Sequence, residues 1–370
     1  MQEQTSLKSV NQPFATYTLL IDGFVSPVSF VHSGKRSFIV DQIGYIYIFD
    51  WDLAIISKQV IVEKGVGIRY DNRIIPILID ISKRIAPFNE SSKEKGLLQM
   101  ILHPSKNLFY LYYTINPPTG ADYDCVAILD EWFFDTEGVQ PIRQIIEWPH
   151  PGPNHFGSPI GFGLDGLLYF GTGDGGGVGD KHGPIGNGLN VNSPWGKILR
   201  INVNPSEPII QILAIGFRNP WRGSFTFDGS IIVGDVGQDN YEGIHIVKGY
   251  ENHGWRAFEN GHIYDQELAN ILEEKNYPVI GPVLWHNRSL GRAIIGGYQI
   301  NQEGDYIFGD YIGGELGDNV YLVKNGSLMI QPQPNDRFKL LTSFSRDPEG
   351  KLYGMFKTDS GNGGIYRINL

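Results

Sequence analysis

Short apolar runs, closed by Gly, Asp, Asn or Pro, recur from residue 23 to the C-terminus. Residues 37–49 read as a strand, a turn at Gly44 and a second strand. Residues 96–103 form an apolar strand that Pro104 ends, because proline has no N–H for the ladder. Residues 109–114 follow as its partner, and 127–129 with 131–134 extend the sheet. A Pro- and Gly-rich stretch, 149–159, then carries His155 into a hairpin over 160–174, with its turn at Asp165-Gly166. Glycine accepts the positive φ that such a turn needs. The same plan returns at 225–235, at 298–310 and at 343–354. Three copies finish on Gly-Asp: Gly173-Asp174, Gly234-Asp235 and Gly309-Asp310.

A small antiparallel sheet buries its faces only against neighbours, so a recurring hairpin predicts radial repetition. About six units are legible. The expected fold class is therefore all-β, a six-bladed β-propeller closed by pairing of its N- and C-terminal strands. A pair of β-sandwiches is the alternative that the strand spacing allows. Residues 1–16 read as a polar lead-in and 17–370 as a single propeller domain. Residues 62–95 are mixed and charged, with a short strand expected near 74–79. Residues 175–192 read as a long Gly-rich loop. Helical periodicity with a cap is confined to 265–275.

Composition narrows the partners. The chain of 370 residues carries a net charge of −10, with an isoelectric point near 5.4, which argues against nucleic acid. Cys125 is the only cysteine, so no intrachain disulfide forms. No apolar run is long enough to span a membrane. The first eight residues lack the basic-then-apolar order of an export signal. Neither compartment nor oligomeric state follows, and a homo-oligomer or larger assembly stays open.

Four loop segments carry candidate chemistry: Glu94 in 93–98, Asn154-His155, Arg218-Asn219, and Gly237-Gln238. In a propeller such loops converge at one end of the channel. A carboxylate, an imidazole, a guanidinium and a carboxamide would then serve proton removal beside a developing charge. His155 as a turn residue hydrogen-bonded to backbone is the competing account.

These segments, in this order, resemble the pyrroloquinoline quinone (PQQ)-dependent glucose/sorbosone dehydrogenases, the soluble aldose sugar dehydrogenases. The resemblance runs from Asp41-Gln42-Ile43-Gly44 through Gly96-Leu97-Leu98, Asn154-His155, Gly171-Thr172-Gly173-Asp174 and Arg218-Asn219-Pro220-Trp221. It continues to Gly237-Gln238, Asn252-His253-Gly254-Trp255, Gly296-Gly297 and Gly309-Asp310-Tyr311. It implies oxidation of an aldose or related sugar hydroxyl, with PQQ as hydride acceptor, Ca²⁺ holding the cofactor, and an external electron acceptor. It implies that His155 is the general base and that Arg218 lies beside the quinone carbonyl. It places Asn219 and Glu94 at the cofactor, and gives Gly237 and Gln238 backbone carbonyls to Ca²⁺. Arg292 is the cation expected at a PQQ carboxylate, with Arg288 and Arg222 behind it. The family is mostly periplasmic or secreted.

The chain also departs from that pattern. Pro159 stands where an arginine is usual, Gly243 replaces a glutamate, His253 a tyrosine, and Glu315 a cation. The changes at Gly243 and His253 bear on a second, structural Ca²⁺ site. The alternative function is a catalytically degenerate propeller acting as a structural, surface or binding protein, as hedgehog-interacting proteins use the same fold for binding.

Overall fold

The structure is a computed structural model that describes residues 8–10, 13–34, 36–50, 60–63, 67–70, 73–88, 93–135, 138–313, 319–335 and 338–370. Among these residues the strands form six sheets of four to six strands, plus a two-stranded ribbon. The chain divides into two compact units.

The first unit spans 15–153 and 333–370. One of its sheets is the meander Leu340–Arg346, Leu352–Lys357 and Gly363–Asn369, and Thr16–Phe24 supplies its fourth strand. Thr16 lies opposite Asn369, so the two ends of the chain share one sheet as expected. A second sheet holds Pro27–Ser33, Arg36–Asp41, Tyr45–Asp50 and Arg73–Asp80, lengthened by the hairpin of Val60–Glu63 and Gly67–Tyr70. The third runs Leu97–Leu102, Leu108–Ile115, Cys125–Phe134 and Val139–His150. Val40 and Ile46 of the second sheet pack with Leu97, Met100 and Leu111 of the third, all fully buried. Non-directional burial of this kind is the main favourable term in joining sheets face to face.

Two strand expectations change here. Residues 127–129 and 131–134 belong to one continuous strand, Cys125–Phe134. The stretch before His155 is also more ordered than its prolines suggest: Val139–His150 is an edge strand, where Pro141 and Pro149 cost no ladder bond.

The second unit spans 154–332 with the N-terminal segment. Its fourth sheet contains Ser158–Phe162, Leu168–Thr172, Lys197–Asn202 and Ile209–Ile215. The fifth holds Pro220–Phe225, Ile231–Asp235, Tyr241–Val247 and Leu284–Asn287. The sixth holds Ile294–Gln299, Tyr306–Asp310, Val320–Lys324 and Ser327–Gln331. The lead-in is not featureless: Lys8–Val10 pairs in parallel with Ser327–Gln331. The predicted helix is Gln266–Glu274, and Asp265 caps it by accepting the Leu268 N–H at 3.1 Å. The Gly-rich stretch holds one short helical turn, Gly186–Leu189. None of the described helices is long and apolar enough to cross a membrane.

Candidate active site

The recurring Gly-Asp pairs explain how the loops are held. In three sheets an aspartate closes the second strand and accepts the two backbone N–H groups just before the first strand. Asp41 takes Val25 and Ser26 at 2.8 and 2.9 Å. Asp235 takes Arg218 and Asn219, the latter at 2.7 Å. Asp310 takes Arg292 and Ala293 at 2.9 and 3.0 Å. Burial pushes all three carboxyls up, Asp235 to about 7 against the pull of those N–H groups. Asp310 goes to about 8, through burial and then the neighbouring Glu242.

The fourth sheet departs from this rule. Its second strand ends at Thr172, and the acid, Asp174, comes two residues later. Asp174 Oδ1 meets His155 Nδ1 at 2.7 Å and accepts the Gly176 N–H at 3.0 Å. Its Oδ2 accepts the Trp255 indole N–H at 2.8 Å. Burial favours the neutral acid here as well, but His155 and then Arg218 outweigh it, and the carboxyl is held below the ordinary carboxylate range. With Asp174 so occupied, the N–H of Gly157 goes instead to Asn219 Oδ1 at 3.0 Å.

The His155 loop is wedged tightly. His155 has φ 64°, in the left-handed region that costs a residue with a side chain roughly 1–2 kcal/mol. Behind it a Cβ on Gly173 would stand 1.9 Å from the His155 carbonyl oxygen, so only glycine fits. A strained histidine, 3% exposed, is held by the surrounding fold rather than by local preference. The simple turn account does not predict this, since its Nδ1 is bound to a buried carboxylate 19 positions along the chain.

Arg218 joins the same cluster. Its Nε donates to Gln238 Oε1 at 3.2 Å and its Nη1 to the Val236 carbonyl at 3.0 Å. Its guanidinium lies 5.8 Å from the centroid of the Trp255 ring. Trp255 therefore touches both the carboxylate behind His155 and the arginine. Gln238 serves through its side chain, which also accepts the Gly179 N–H at 3.1 Å. Sequence reasoning named Gln238 for its carbonyl and passed over Asp174 and Trp255. The Gly-Asp recurrence was the available signal for Asp174.

The remaining candidates are placed as follows. Arg292 is exposed, and its side chain makes no hydrogen bond or ion pair among the described residues. Arg222 is buried, over the Trp221 ring at 4.4 Å, and burial lowers its pKa to about 9. Arg288 is committed to Glu242 and to backbone carbonyls. Glu94 lies in the first unit, on a loop that Gln42 clamps by donating to the Lys93 and Lys95 carbonyls at 2.8 and 2.9 Å.

Of the departures, Pro159 sits within a strand opposite Phe170. A Cβ on Gly243 would stand 2.2 Å from Asn260 Oδ1, so a glutamate has no room there. His253 Nδ1 meets His245 Nδ1 at 3.0 Å in a buried pair. Glu315 lies outside the described residues.

A sequence profile described as Glucose / Sorbosone dehydrogenase matches residues 76–367. The chain belongs to the glucose/sorbosone dehydrogenase family. It is 33% identical over 217 residues to the HIPL1 protein of Arabidopsis thaliana, a match covering 46% of this chain and 30% of that protein. It is 24% identical over 195 residues to quinoprotein glucose dehydrogenase B of Acinetobacter calcoaceticus, covering 45% of this chain and 41% of that one. The matches thus span less than half the length of these relatives. The PQQ-bound aldose sugar dehydrogenase of Streptomyces coelicolor matches with a TM-score of 0.67 at 18% identity, over 97% of this chain and 99% of that chain. At that identity the likeness establishes the fold, and the fold is the six-bladed β-propeller that the hairpins predict.

Proposed function

We propose that this chain is a PQQ-dependent dehydrogenase that oxidises a CH–OH group of an aldose or related sugar. The observation that carries the reading is the buried His155–Asp174 pair, held at 2.7 Å and joined to Arg218 through Trp255. Family membership supports an oxidoreductase, and the relatives' names supply the quinone and the sugar.

The residues fit a tricarboxylate quinone. Arg218 and Arg292 are guanidinium groups without a carboxylate salt bridge among the described residues, and Arg292 is exposed. Asn219 spends its Oδ1 on Gly157, which leaves its Nδ2 as the donor for a cofactor. When bound, PQQ supplies a two-electron acceptor for hydride.

The chain's own contribution is proton chemistry. In this reading Asp174 accepts the His155 Nδ1–H, so that the ring takes up a further proton at Nε2. That nitrogen takes the sugar hydroxyl proton, and the imidazolium that results is paired with a carboxylate already ionised. Arg218 holds positive charge where negative charge develops. Its direction is set by Gln238 and the Val236 carbonyl, so it reorganises little.

Calcium fits less well. The Gly237 carbonyl faces the Arg288 guanidinium. Among the described residues no group of three or more His, Cys, Asp or Glu side chains is placed to hold a metal.

The test is optical titration of the purified protein with PQQ, followed by dye-linked oxidation of a panel of aldoses. Saturable PQQ binding with sugar-dependent dye reduction is expected. Failure to bind PQQ, with retained partner binding, would favour the binding-propeller alternative.

A further inference from the structure

The side chain of Arg288 is surrounded by oxygens. Its Nε donates to the Asp239 carbonyl at 2.9 Å. Its Nη1 donates to the Glu242 carboxylate and to the Arg292 carbonyl. Its Nη2 faces the Gly237 carbonyl at 3.5 Å. Glu242 is fully buried, and its other oxygen accepts the N–H groups of Gly237 and Ile294, each at 3.0 Å. Three backbone carbonyls and one buried carboxylate are the ligand types that calcium takes. Here they converge on a guanidinium, which carries its charge at every working pH.

We infer that Arg288 is a built-in cation that occupies the oxygen cradle of Gly237, Asp239, Glu242 and Arg292 and makes the fold of this chain independent of calcium there. The carbonyl of Gly237 is one of the two that the family resemblance assigns to Ca²⁺, so chain and resemblance disagree at this point. Electrostatics explains why one occupant excludes the other. Of the four cradle oxygens only the Glu242 carboxylate carries formal charge, and Arg288 already pairs with it. A divalent ion beside that guanidinium would leave net positive charge in a largely buried space. The four oxygens meet the donors of a planar fork. Removal of the arginine leaves a buried carboxylate uncompensated, and the cradle then attracts a hard cation.

The test uses the whole chain without PQQ, so its outcome does not depend on the quinone reading. Thermal unfolding and calorimetric calcium titration are run on wild type, R288A and R288K, each in EDTA and in millimolar CaCl₂. Wild type and R288K are expected to melt at the same temperature in both buffers and to show no stoichiometric calcium binding. R288A is expected to melt several degrees lower in EDTA, to recover part of that loss in calcium, and to bind calcium at least ten-fold more tightly than wild type. If R288A is too unstable to purify, its refolding yield in calcium against EDTA gives the same reading. Stoichiometric calcium binding by wild type, with a fall in melting temperature in EDTA, overturns the inference. So does an R288A variant that calcium neither stabilises nor helps to refold.

Discussion

Asp174 and Asp235 are both buried acids that follow a glycine near the end of a second strand, yet they do different work. Asp235 closes its strand and spends its oxygens on the backbone of Arg218 and Asn219. Asp174 stands two residues beyond its strand and spends its oxygens on a histidine ring, an indole and one backbone N–H. The electrostatic consequence has opposite sign: burial wins at Asp235 and raises its pKa to about 7, while His155 and Arg218 win over burial at Asp174 and lower it. A shift of two residues along the chain turns a loop clamp into the ionised partner of a histidine. Asn219 then takes over the clamp for the His155 loop.

The largest effect should fall on His155 itself. H155A is expected to lower turnover by about 10²–10⁴-fold, the usual share of a general base, with PQQ affinity nearly unchanged. R218A should weaken turnover and PQQ affinity together, because the proposed function puts the guanidinium beside both cofactor and developing charge. Steady-state rates and PQQ titrations on the two variants separate these outcomes.

Next come the two aspartates, whose variants should respond to pH in opposite directions. D174N is expected to cost about 2–3 kcal/mol at neutral pH, because it removes a buried carboxylate that accepts from a histidine ring, an indole and a backbone N–H. The folded state depresses this carboxyl, so it binds fewer protons than the unfolded chain below about pH 4. The wild-type advantage is therefore full above the unfolded pKa and lost as pH falls through the folded one. Asp235 is raised, so the folded chain binds the extra proton between about pH 4 and 7 and wild type loses stability across that window. D235N does not titrate. Its deficit should shrink by on the order of 2–4 kcal/mol from pH 4 to pH 7. Urea unfolding at several pH values would show the two trends, and parallel trends would break the comparison.

W255F is the smallest change. It deletes the indole N–H to Asp174 and keeps an aromatic ring for Arg218. A loss of about 1–2 kcal/mol in stability, the range for a hydrogen bond to a charged group, is expected by denaturant titration.

Much of the fold was legible because a hairpin announces itself twice, by period-two apolar runs and by Asp-Gly turns. What hid were elements whose local chemistry contradicts their state. Val139–His150 carries two prolines that only an edge tolerates, and Lys8–Val10 gains its structure from a distant strand. At the candidate site, His155, Arg218 and Asn219 were legible as loop residues with useful side chains. Asp174 was not separated from Asp235 and Asp310, because Gly-Asp looks alike in all three places. Only strand register shows that one of them lies past the end. Trp255 stands in the segment Asn252-His253-Gly254-Trp255, but nothing local reveals that its indole reaches Asp174, 81 positions away. The oxygens around Arg288 come from four separate positions and were equally invisible.

The most direct test of the account is the rate at which the absorbance of protein-bound PQQ changes on mixing with an aldose, in wild type, D174N and D235N. The account predicts a rapid change in wild type and a rate lower by about 10²-fold in D174N at unchanged PQQ affinity, since the base loses its ionised partner while the cofactor contacts remain. D235N should lie closer to wild type. A D174N protein that reacts as fast as wild type, or a wild type that takes up no PQQ, would contradict it.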